Sequence, residues 1–274
     1  MTNKKTYDIA FSMGFSCGGS LALRKAGLQF ASYPLDWIGA PGIVKSARMV
    51  AAGFPDWFER DDLQLVNVRG GSFQTNVYLN RRTGFGFPHD FSRFKTFDES
   101  FPPNAEKYAR RVSRFLSSLS SAKTALVVYI ERPIDPRASD GDLVEARRIL
   151  SERYPETSFD IVYFYRVPEA KGFAEESVAD GISAVACEYA QMDHGEISHA
   201  IAWSVPAKLL EERFGLSKVP DAESEKAYEA QRKAERRKLF GSKIDEWKYR
   251  LYRKLEKDLQ EKGIVPRDRP LWFY

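Results

Sequence analysis

The spacing of hydrophobic positions changes repeatedly along the chain, and each change marks an element. Residues 7–11 read as a short buried strand, and residues 20–25 open a helix that Gly27 is placed to stop. Residues 30–37 form an extended aromatic segment around Pro34, and Ile43–Ala52 is a second helix, ended by Gly53. Residues 63–91 are rich in strand formers, with 80–84 suited to a hairpin loop. Asn104 has the chemistry of an N-cap, after which Tyr108, Val112, Phe115, Leu116 and Leu119 recur at helical spacing. Thr124–Ile130 is an unbroken apolar run, the pattern of a strand covered on both faces. A helix over 142–154, a buried strand over 159–165, a third strand over 182–190 and a helix from Ser204 to Phe214 complete the series, with Gly215 beyond it.

Strands that alternate with helices predict an α/β fold: a mixed or parallel sheet flanked by helices. The polar stretch 216–223, with Pro220, divides an α/β domain of residues 1–215 from a basic amphipathic helical tail, 216–274. Two charged helical stretches, 223–240 and 243–262, make up that charged C-terminal extension, with Gly241 and Ser242 between them. Ile244, Trp247, Leu251, Leu255 and Leu259 form an apolar stripe on the second, expected to pack on its own domain or to join two copies as a homo-oligomer.

Charge narrows the partners. The chain carries a net charge of +4, and residues 223–262 alone hold 13 Lys/Arg against 9 Asp/Glu. The remainder is therefore balanced, and no nucleic-acid partner is expected. No apolar run reaches the roughly 20 residues that a transmembrane helix needs, and the first residues lack the apolar core of a secretion signal. With two cysteines and no disulfide framework, a cytoplasmic protein is expected.

The candidate chemistry begins at "FSMGFSCGGS", residues 11–20. If a strand ends near Phe11 and a helix starts near Gly18, Cys17 stands at a helix N-terminus, where the dipole and unpaired N–H groups favour a thiolate. Gly14, Gly18 and Gly19 would let backbone amides approach an oxyanion. The same glycines would serve a turn around a cysteine that merely packs, so both readings stand. Neither G-x-G-x-x-G nor G-x-x-x-x-G-K-[ST] occurs, and no nucleotide cofactor is expected. His89 lies in "GFGFPHDF"; on a regular strand it would share a face with Phe85, Phe87 and Phe91, with Asp90 opposite. Asp36, in "SYPLDWI", is better placed than Asp90 as the orienting carboxylate, or else is a turn cap. His194 and His199 are five residues apart, off a common helical face, and no metal site is expected there. Trp37 with Arg110, Arg111 and Arg114 could bind an anionic or glycan-type substrate group, or could line a solvated face.

The blocks "SMGFSCGGSLALRKAGLQFASYPLDWI", "FPHDF", "KYARRVSRF" and "ALVVYIERP" resemble the DUF1796 family of papain-like cysteine peptidases over residues 7–170. That resemblance implies Cys17 as nucleophile and His89 as base, with Asp36 or Asp90 orienting it, and a peptide, amide or ester as substrate. The order of strand, cysteine turn and proline-aromatic segment is also similar to SGNH-type esterases of the GSCFA kind. That layout would instead make His199 or His194 the base. A non-catalytic module binding a glycan or nucleotide is the reading from a different class.

Overall fold

A computed structural model describes residues 4–15, 17–69, 75–131, 137–167, 173–187, 204–219 and 222–240, together with Trp247, Leu251 and Lys254. The chain divides into two compact units: residues 1–55 with 111–222, and residues 56–110 with 223–274.

In the first unit the strand expected over 7–11 is two, β1 (Lys5–Tyr7) and β2 (Ile9–Ser12), separated at Asp8. The Asp8 carboxylate accepts from the Ser217 hydroxyl and from the Lys123 and Thr124 amides, which hold it below its ordinary pKa. Strands β6 (Thr124–Ile130), β7 (Ser158–Arg166), β8 (Phe173–Ala179) and β9 (Ile182–Cys187) complete a five-stranded sheet in the order β2-β6-β7-β9-β8. All neighbours pair in parallel except β8, which is antiparallel to β9, so the sheet is mixed. Helices α1 (Gly18–Lys25) and α5 (Ser204–Arg213) cover one face. There Ala22, Leu23, Ala207 and Leu210 pack with Leu126, Val128, Val162 and Phe164.

The other face carries α4 (Asp140–Arg153), capped by a reciprocal Ser139–Asp142 box and burying Leu143, Ala146 and Leu150. It packs on β7 and on α2 (Ile43–Ala52). Phe115, from α3 (Phe97–Ser121), meets the ring of Phe11 edge-on at 4.9 Å. The α/β fold with helices on both faces is thus the observed one. Two details differ from expectation. Strand β8 is mostly exposed and acidic, so it carries no apolar signal. The helix expected over 204–214 ends at Arg213, and β10 (Phe214–Leu216) pairs in parallel with β1.

The second unit holds the antiparallel sheet β3 (Leu63–Arg69), β4 (Thr75–Asn80) and β5 (Gly86–Ser92), and the helix α6 (Ala222–Phe240). The expected hairpin loop is present. The Asn80 side-chain oxygen accepts from the Arg82 and Thr83 amides. Asn104, however, is no N-cap: α3 begins at Phe97 and Asn104 is buried within it. Thr96 is the cap, its hydroxyl taking the Glu99 amide while the Glu99 carboxylate takes the Thr96 amide. The misleading signal is Pro102-Pro103, which reads as a break but lies inside the helix. Phe58, Phe87, Phe91, Phe97, Phe101 and Tyr108 pack ring against ring in this unit. Among the described residues no helix is long and apolar enough to cross a membrane.

Candidate active site

Cys17 occupies the N-cap position of α1, directly after the turn that follows β2. Its carbonyl accepts the first helical bond, from the Leu21 amide at 2.9 Å, and its side chain is half-buried and makes no capping hydrogen bond. The turn is close-packed. The Gly14 amide donates to Ser12 Oγ at 3.1 Å, and a Cβ on Gly14 would lie 2.8 Å from the Ile130 backbone nitrogen. A Cβ on Gly19 would collide with Ser12 Oγ. The glycines therefore seat the turn and α1 against the sheet. Gly14→Ala is expected to cost roughly 1–3 kcal/mol, because the β6 backbone cannot rotate aside. A urea melt showing no lower midpoint would refute that packing account.

The segment after α1 is turned at Pro34–Trp37 rather than extended throughout. Asp36 drives this. Its fully buried carboxylate accepts from the Tyr33 amide at 2.7 Å and from Gln29 Nε2 at 3.0 and 3.1 Å. Arg24 stands 3.6 Å away and also donates to Ser32 Oγ. Trp37 Nε1 reaches the same hydroxyl at 3.4 Å, and Arg114 reaches the Ser32 carbonyl at 3.4 Å. The structure thus gathers Asp36, Trp37 and Arg114 into one network centred on Ser32. Arg111 is buried.

In the second unit, His89 sits in a bulge. Asn76 pairs with Phe91 and Tyr78 with Phe87, so Pro88, His89 and Asp90 face a single residue of β4. Regular alternation is lost: His89 is half-buried, while Asp90 and Phe91 are both buried in succession. Asp90 fixes the bulge to α3. Its carboxylate accepts from Lys107 Nζ at 2.5 Å and from the Tyr108 hydroxyl at 2.7 Å, while Asn104 donates to its carbonyl at 2.6 Å. Lys107 also donates to Asn104 Oδ1. Arg110 is exposed and lies 3.8 Å from Glu106 on the preceding turn.

Sequence reasoning did not single out Arg24, Gln29, Ser32, Lys107 or Tyr108 as site residues. A cleft of about 470 Å³ in the first unit was also unforeseen. It opens where β2 and β6 end, lined by Phe15, Gly42, Lys45, Tyr129, Glu131 and Arg137. Crevices outside the carboxyl ends of parallel strands are where open α/β sheets take ligands. His194 and His199 lie outside the described residues.

A family model described as "Putative papain-like cysteine peptidase (DUF1796)" matches residues 8–163. A protein of Acanthamoeba polyphaga mimivirus, itself described as uncharacterized, is 30% identical over 149 residues, covering 49% of this chain and 66% of that relative. The chain therefore spans just under two thirds of the relative's length. No solved structure matches. With more than half of its length matched, the chain belongs to the DUF1796 family.

Proposed function

We propose that the chain is a cysteine-dependent hydrolase of peptide, amide or ester bonds, with Cys17 as the nucleophile. The observation that carries this reading is the position of Cys17 at the N-terminus of α1, with a half-buried side chain. A helix N-terminus lowers a thiol's pKa and offers amides to developing negative charge. His89, the base that the resemblance implies, is the general base of this proposal, and the cleft lined by Phe15 at the ends of β2 and β6 is the proposed bed for the acyl part of the substrate.

In this reaction the Cys17 thiol gives its proton to the base and its sulfur adds to the carbonyl carbon. The tetrahedral oxyanion faces the amides at the start of α1. Collapse breaks the bond to the leaving amine or alcohol, which takes the proton back, and a thioester remains. Water, deprotonated by the same base, then displaces the sulfur and releases the acid. A second alcohol or amine in place of water would make the same centre an acyltransferase.

Cys187 provides an internal reference. It is buried in β9, and burial pushes its thiol up to about 12. Iodoacetamide at pH 6 is expected to alkylate Cys17 and leave Cys187 intact, read by peptide mass spectrometry. Equal labelling of both thiols would remove the activated-thiolate reading. His89→Asn is expected to raise the pH at which Cys17 reacts. If His199→Asn does so instead, the late-histidine arrangement is the correct one.

A further inference from the structure

Among the described residues β3 pairs only with β4, so its outer edge has no strand beside it. Edge strands ordinarily carry lysine, proline or inward-pointing charge that discourages a second strand. The run "LQLVNV", residues 63–68, carries none of these. Every residue from Gln64 to Val68 is exposed, Leu65 by 46%, Val66 by 51% and Val68 by 45%. Leu65 opposes Tyr78 and Asn67 opposes Val77, so Val66 is an extra residue in the strand. This bulge resets the alternation and brings Leu63, Leu65 and Val68 to the face that carries Tyr78. Among the described residues, the apolar face of the small sheet therefore runs out to an edge with no strand beside it.

The ends of the strand are oppositely charged. Asp61, exposed, and Asp62, bound to Arg82, immediately precede β3, and Arg69 is its last residue. We propose that β3 pairs antiparallel with β3 of a second copy across a two-fold axis, joining two three-stranded sheets into one of six. Antiparallel pairing brings Asp61 of each strand to Arg69 of the other and centres the pair on Leu65. A parallel partner would align Asp with Asp. The sequence is thus self-complementary in one direction only, which selects a second copy over an unrelated strand.

Sedimentation equilibrium of the full chain tests this. The wild type should show twice the chain mass at high concentration and the single mass on dilution. Val66→Lys should be monomeric throughout, with an unchanged circular dichroism spectrum. Asp61→Lys and Arg69→Glu should each weaken the dimer several-fold, and the double variant should regain it; this pair decides the matter alone if Val66→Lys misfolds. A wild type that is monomeric at every concentration overturns the proposal. So does a dimer indifferent to both Val66→Lys and the charge reversals. A monomer that dimerises only on Trp247→Asp would make the C-terminal segment the occupant of the edge, and would overturn it as well.

Discussion

Replacing Cys17 by alanine is expected to abolish turnover of ester, amide and peptide probes, a loss of roughly 10⁴-fold or more in kcat. The fold should survive, because the side chain is half-buried and the helix start depends on the Cys17 carbonyl rather than on its sulfur. Cys17→Ser separates chemistry from packing. It keeps the size, and because Cys17 has helical dihedrals (φ −59°, ψ −10°) the hydroxyl gains no capping bond, so its thermal stability should stay near the wild type while activity stays lost. Retained turnover in Cys17→Ala would end the case for a nucleophile in this turn. Measuring kcat and melting temperature on the same preparations distinguishes that outcome from simple unfolding.

Lys107→Met is expected to destabilise the protein by about 3–5 kcal/mol, since it strands the Asp90 carboxylate in a buried site. Asp90 is 3% exposed and Lys107 8%, so water cannot replace the lost ammonium. The partner deletion Lys107→Met with Asp90→Asn should recover much of that loss, because the uncompensated charge is then gone. Denaturant midpoints of the three proteins provide the test. A single-variant loss near zero would mean that solvent reaches Asp90. Because His89 adjoins Asp90 in the bulge, Lys107→Met should also alter the pH dependence of Cys17 alkylation if His89 is the base.

Most of the α/β framework was legible because its signals are local. Thr124–Ile130 is apolar at nearly every position, and only a strand buried on both faces needs that. Ile43–Ala52 is bounded by glycines, and Gly53 adopts the left-handed conformation that ends the helix. The cysteine turn was legible for the same reason, being framed by a strand and an amphipathic stretch. The polar networks were not, because their partners are distant in sequence. Asn104, Lys107 and Arg111 fall at helical spacing with Tyr108 and Phe115, on positions where a core-facing helix would carry apolar residues. All three are buried, so that violation of pattern was the available signal. No comparable signal existed for Gln29, whose partner Asp36 is fixed only by the turn between them. His89 would share the aromatic face only on a regular strand; Pro88 allowed a bend there, and the pairing shows the extra residues at Pro88–Asp90 that break the alternation.

The pairing of β2 with β6 also sets an order of events during synthesis. The Asp8 amide bonds to Thr124, a separation of 116 residues, and the whole of 56–110 is made in between. At ribosomal rates of about 5–20 residues per second, β2 waits on the order of ten seconds for its neighbour. The glycines that seat α1 against Ile130 and Val128 have nothing to close onto until then. Cys17 leaves the ribosome well before the β6 strand against which its turn is seated. If Cys17 is the nucleophile proposed above, a nascent chain halted before residue 124 should therefore be alkylated at pH 6 more slowly than the full chain.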